Sequence, residues 1–206
     1  MTEEVYTEFM KYLIYGFAYL AVLYPVWMWY ESTTLVWNRG VVFELFPVFG
    51  LIAFSTMWLH VVGGAIRPSL EKHIDFQKFV TYSSVVVFVS IILHPALLLF
   101  GLGPNNLATL FTYGNPIYLW LGIVAWFVLV GYDVSKKFKT REFFANHWET
   151  VRLVATLGFF LTLFHSLGLG RNLQDGPLRW VWIFYGVTAL VAAAYTYGIK
   201  RFLKKS

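Results

Sequence analysis

The chain has 206 residues, 58% of them hydrophobic and only 13% charged, where a soluble domain carries about 25% charged residues. Aromatic residues reach 20%, too many for a solvated surface, so the composition excludes a soluble globular domain. No cysteine is present, which excludes disulfides, thiolate-ligated haem, iron–sulfur clusters and cysteine-type zinc sites. The net charge of +5 calls for no nucleic-acid partner, because in a membrane chain the placement of Lys and Arg carries the information.

The N-terminus, "MTEEVYTEF", is acidic and lacks the basic region of a cleavable signal peptide. A helix needs about 20 apolar residues to cross the hydrocarbon core. Six stretches qualify, at 10–30, 41–65, 79–101, 115–132, 151–169 and 178–198. "NRG", "GPNN", "GNP" and "DGP" between them are loop chemistry. The polar segment 133–149, "DVSKKFKTREFFANHWE", reads as a short interfacial helix with Phe138, Phe143 and Phe144 towards lipid. No internal repeat or second domain is evident. The expected fold class is therefore all-α: one six-transmembrane-helix bundle over residues 1–206.

Six spans put both termini on one side. Lys11, Arg67, Lys72, Lys78, Lys136, Lys137, Lys139, Arg141, Arg152, Lys200, Arg201, Lys204 and Lys205 fall on that side, and only Arg39, Arg171 and Arg179 on the other. Positive charge concentrates on cytoplasmic loops, so both termini are expected in the cytoplasm. The expected location is the cell membrane, the inner membrane if the source is bacterial.

Two histidines stand in nearly pure hydrocarbon. His94 lies in "VSIILHPALL" and His165 in "LTLFHSLGLG". Each comes 16 residues after a charged residue, Lys78 and Glu149, near the inner start of the third and fifth spans. At 1.5 Å per residue both rings sit roughly 24 Å above the cytoplasmic edge. Two neutral imidazoles at one depth on two helices can ligate one metal from opposite sides, as the axial ligands of a haem do. Small neighbours flank both: Ser83, Ser90 and Gly101 beside His94, Ala155, Gly158 and Thr162 beside His165. Such residues admit a flat macrocycle or serve close helix packing. Otherwise the histidines are relays or packing groups of a haem-free transporter, proton pathway or assembly factor. No carboxylate chain crosses the membrane, which counts against a proton pathway. His60 in "MWLHVVGG" either bonds to a backbone carbonyl, snorkels to the headgroups, or lines an inner cofactor pocket. His73 reads as solvated and His147 as interfacial.

These residues resemble the ferric-reductase-like transmembrane family, which includes NADPH oxidases, STEAP metalloreductases and the haem-binding subunit of bacterial methionine sulfoxide reductase. The last is similar in length. The resemblance covers roughly residues 45–170. Trp148 and His165 match a family pattern of Trp, then His four residues on, then a second His thirteen further, but the middle position is Arg152. "FVTYSSVVVFVSIILHP" is similar to the segment ending in the outer ligand, here His94, and the inner ligand position falls on Val80 or Thr81. The resemblance thus implies one haem b, held by His94 and His165 and without the inner pair of two-haem members. That is the STEAP-like arrangement, in which a flavin serves the cytoplasmic side. It implies an inner pocket for FMN, FAD or a quinone around Arg152, Thr81, Ser84, Thr156 and His60, with Arg152 on a phosphate. Arg171 and Arg179 are the expected propionate contacts, with Arg39 a weaker third. The implied function is electron transfer to an outer acceptor. Since no strand–GxGxxG–helix unit is present, the donor is expected to be a separate flavin reductase or a membrane quinol. An extracytoplasmic redox partner would receive the electrons.

Overall fold

The computed structural model describes residues 3–33, 40–112 and 114–200. Arg39, Arg201, Lys204 and Lys205 lie outside the described residues. Every regular element among the described residues is helical, and six helices are long and apolar enough to cross a membrane. They are α1 (Glu3–Glu31), α2 (Val41–Ala65), α3 (Phe76–Leu102), α4 (Pro116–Ser135), α5 (Glu142–Leu169) and α6 (Gly176–Ala194). A π-helical turn, Tyr195–Ile199, extends α6. The chain is a multi-pass membrane protein, and large apolar side chains such as Phe17, Phe100 and Phe127 point outwards, as lipid-facing groups do.

Local chemistry sets the helix ends. The Asp75 carboxylate accepts the Lys78 backbone N–H at 2.8 Å and caps α3. Asn115 does the same for α4 through the Ile117 N–H at 3.1 Å, with Pro116 in the first helical turn. Gly103 stops α3 with φ of 71°, a conformation that favours glycine. The segment 133–149 is not a separate interfacial helix. Its first residues complete α4, Lys136–Phe138 form a single 3₁₀ turn, and α5 begins at Glu142. The two flanking helices run into the polar stretch from either side and leave residues 136–141 between them.

The helices pair along the chain. α2 packs most closely on α3, and α4 on α5, as two hairpins running the same way across the membrane. α2 also contacts α1, α5 and α6 and is the most buried span. Its Phe54 is stacked between Phe159 of α5, at 4.6 Å, and Trp182 of α6, at 4.5 Å. One turn on, Trp58 stacks on Tyr185 at 4.1 Å and donates its indole N–H to Thr188 at 2.8 Å.

Two of the three prolines inside the described spans, Pro25 and Pro95, create a hydrogen-bonding demand that aromatic side chains meet. A proline has no N–H for the carbonyl four residues earlier, and in lipid that carbonyl needs another donor. Pro25 of α1 leaves the Ala21 carbonyl free, and the Tyr185 hydroxyl donates to it at 2.8 Å. Pro95 of α3 leaves the Ile91 carbonyl free, and the Trp126 indole of α4 donates to it at 2.9 Å. Each bond ties two helices at a point fixed by a proline.

This pairing yields a direct test. Tyr185→Phe should destabilise the protein by about 1–2 kcal/mol, because a buried carbonyl loses its partner. In a Pro25→Ala background the same change should cost clearly less, since the restored backbone N–H reaches Ala21. Unfolding in detergent, run as a double-mutant cycle, measures both values.

Candidate functional site

The His94 and His165 rings come together between the two hairpins. Their centroids are 6.5 Å apart and their planes stand at 90°. Two imidazoles on opposite sides of a metal ion, each nitrogen about 2 Å from it, have ring centres roughly 6 Å apart. The observed spacing matches that requirement.

The same device holds each ring. His94 Nδ1 lies 2.8 Å from the Phe46 carbonyl of α2, and His165 Nδ1 lies 2.8 Å from the Tyr118 carbonyl of α4. A carbonyl only accepts, so Nδ1 carries the proton and donates in both rings. That fixes the tautomer and leaves Nε2 with its lone pair. Among the described residues no hydrogen bond engages either Nε2. A metal-ligating histidine typically has this arrangement, its second nitrogen donating to a carbonyl that orients the ring and raises its basicity.

The space for the rings comes from glycines on the facing helices. A Cβ at Gly50 would lie 3.0 Å from His94 Nδ1, and a Cβ at Gly122 would lie 2.3 Å from His165 Nδ1. Each glycine follows its carbonyl acceptor by four residues, one helical turn. The small residues flanking the histidines on their own helices do other work. Gly101 makes room for Phe43 and Gly158 for Val128, which is helix packing. The two hairpins thus repeat one contact: an aromatic residue's carbonyl, a glycine four residues on, and a histidine from the partner helix. The sequence separation from acceptor to histidine is 48 in one hairpin and 47 in the other. Although no repeat is evident in residue identities, this spacing was the available signal for Phe46, Gly50, Tyr118 and Gly122.

The other expected residues divide. His60 Nε2 is 2.7 Å from the Ser83 hydroxyl, which also donates to the Phe79 carbonyl. His60 therefore ties α2 to α3. Ser84 accepts from Lys136 at 3.3 Å, and Lys136 pairs with Asp133 and lies over the Tyr132 ring. Thr156 bonds back to the Arg152 carbonyl and meets the Tyr197 hydroxyl at 3.0 Å. Arg152 is exposed and within electrostatic reach of Tyr132. Ser84, Thr156, Arg152 and His60 thus belong to the end of the bundle that carries the α2–α3 and α4–α5 connections, with Lys136 and Tyr132 as members sequence reasoning missed. Thr81 does not join them: it is exposed and bonds back to the Gln77 carbonyl.

On the opposite side, Arg179 donates to the Leu173 carbonyl at 2.8 Å and holds the α5–α6 connection. Arg171 lines a cleft with Met28, Ser32, Asn172 and Asp175, between α1 and that connection. His73 is not a freely solvated side chain; it packs edge-on against Tyr6, with Nδ1 buried. His147 is exposed and bonds back to the Phe143 carbonyl at 2.9 Å.

No protein-family model, curated protein or solved structure matches the chain.

The His60–Ser83 bond defines a measurable quantity. A double-mutant cycle of His60→Ala and Ser83→Ala, followed by unfolding in detergent, should give a coupling of about 1 kcal/mol, within the range of interhelical hydrogen bonds in membranes.

Proposed function

We propose that this protein is a membrane electron-transfer subunit of the ferric-reductase-like type, holding one haem b between His94 and His165. The observation that carries this reading is the paired geometry: two rings 6.5 Å apart, each with Nδ1 committed to a backbone carbonyl. The donor set supports it as well. Two neutral nitrogens are too few for an ion that draws four ligands from protein side chains. The described residues hold no group of three or more His, Cys, Asp or Glu able to share a metal. An iron that brings four equatorial nitrogens of its own needs only two axial imidazoles.

A bound haem supplies one-electron chemistry, and the chain supplies position and electrostatics. His94 and His165 would hold the haem iron, each offering an Nε2 lone pair. The Phe46 and Tyr118 carbonyls hold both tautomers and both ring directions. The Trp126–Ile91 bond pins the turn of α3 just before His94. Arg171 is the outer cation best able to meet a propionate, because Arg179 is already committed to Leu173.

Electrons enter from the cytoplasmic side in this reading. The inner cluster around Arg152, Ser84, Thr156 and Lys136 is where a reduced flavin, FMN or FAD, or a membrane quinol approaches. A separate reductase or the quinol pool provides the electrons, and an extracytoplasmic partner accepts them. Both termini then lie in the cytoplasm, and the protein resides in the cell membrane.

Purified protein should give the absorption spectrum of low-spin haem b in both redox states. His94→Ala and His165→Ala should each abolish it, whereas His60→Ala and His147→Ala should retain it. A native spectrum in either of the first two variants would refute the pairing.

A further inference from the structure

The glycines facing the two histidines support an inference that rests on the haem reading and adds how the ligand geometry is set. We infer that Gly50 and Gly122 are positioning residues that let a backbone carbonyl clamp each imidazole, fixing both tautomers and holding the two ligand planes at right angles.

Helix geometry supplies the reason. Each Cα–Cβ bond leans towards the N-terminus of its helix, so a side chain covers the turn before its own Cα. A side chain at position 50 would cover the approach to the Phe46 carbonyl, and one at position 122 the approach to Tyr118. Those carbonyls have two lone pairs, one for the helix and one for an outside donor. Leaving out the covering side chain opens the second lone pair to an imidazole N–H.

The distances make the requirement specific. At Gly122 an added Cβ would lie 2.3 Å from His165 Nδ1, 2.6 Å from Cε1 and 2.9 Å from Cγ. Those atoms belong to a rigid ring joined closely to its helix, so the ring itself has to move. At Gly50 the corresponding contacts are 3.0 Å to Nδ1 and 3.0 Å to Cε1 of His94, a milder clash. Gly64 on α2 and Gly131 on α4 have nothing within 4 Å. Gly63 on α2 also meets a ring, that of Phe76 at 2.6 Å, but on these two helices Gly50 and Gly122 are the glycines that meet a histidine.

The mutual angle follows from the two anchors. Each carbonyl bond fixes the rotation of one ring, and the resulting planes meet at 90°. Perpendicular axial imidazoles leave the iron π-type d orbitals nearly degenerate. Low-spin ferric haem then gives a strongly anisotropic resonance with one dominant low-field feature. Parallel planes give three well-resolved features instead.

The test uses the full-length protein in detergent, with electron paramagnetic resonance of the ferric haem form. The wild type should give the strongly anisotropic signal. Gly122→Ala should lose it, Gly50→Ala should shift it less, and Gly64→Ala and Gly131→Ala should keep it. A three-feature signal in the wild type, or an unchanged signal in Gly122→Ala, would overturn the inference. A second measurement needs neither haem nor a variant glycine: nitrogen-15 resonance of labelled histidine side chains in haem-free wild-type protein. His94 and His165, assigned by their loss in the alanine variants, should both be protonated at Nδ1. Protonation at Nε2 in either ring would overturn the clamp. That result also decides the matter should Gly122→Ala fail to fold. A wild type that binds no haem but shows both Nδ1 protons would sink the haem reading while leaving the clamp in place.

Discussion

Polar groups inside a bilayer have to find partners within the protein, and backbone carbonyls accept many of them here, although the fully buried Ser55 hydroxyl has no partner among the described residues. A carbonyl has two lone pairs, of which the helix uses one. Ala21 and Ile91 lose their helical partners to Pro25 and Pro95, and receive Tyr185 and Trp126 instead. Phe46 and Tyr118 accept the two histidines that would otherwise bury an unpaired N–H in hydrocarbon. Between helices, the indoles of Trp58 and Trp182 donate to Thr188 and Ser166. These bonds place the elements with a precision that apolar packing in lipid lacks, because lipid tails are as apolar as the side chains they would replace.

The candidate site is a consequence of that bonding. Two hairpins each present a histidine on one helix and a carbonyl and glycine on the other. When they pack side by side, the two rings meet at one depth with matching chemistry. Such an arrangement suits a ligand that is the same on both faces. Trp126, reaching from α4 to the turn before His94, ties one hairpin to the other at this level. Phe54, stacked on Phe159, crosses between the hairpins in the opposite direction. The end of the bundle that carries the α4–α5 connection is different in kind: charged and hydroxyl groups such as Lys136, Asp133, Ser84 and Thr156 collect there.

Much of the fold was legible in the residues. Six apolar stretches are long enough to span, and loop chemistry separates them. The second span matched its helix at both ends, with Gly40 just before it and the Arg67–Pro68 pair closely after it. The segment 133–149 misled, because local polarity suggested an interfacial element where two long helices run through it. At the site, the shared depth of His94 and His165 could be counted from charged edges, since helical rise is constant. What holds them could not. Phe46 and Tyr118 act through backbone atoms, to which side-chain identity gives no clue. Gly50 and Gly122 resemble the other glycines of their helices until the facing ring is in place. Thr81 was assigned to the inner pocket from its depth and its small polar side chain, whereas in the structure it is exposed. His60 fell to an ordinary interhelical bond because Ser83 stands opposite it.

The central claim is that two histidines on separate helices form one site for a single cofactor. A pyridine haemochrome determination on purified full-length protein, set against protein concentration from amino-acid analysis, measures it most directly. The account predicts one haem b per chain. A value of two would require a second pair of ligands that this geometry does not provide, and a value near zero in haem-replete cells would contradict the account outright.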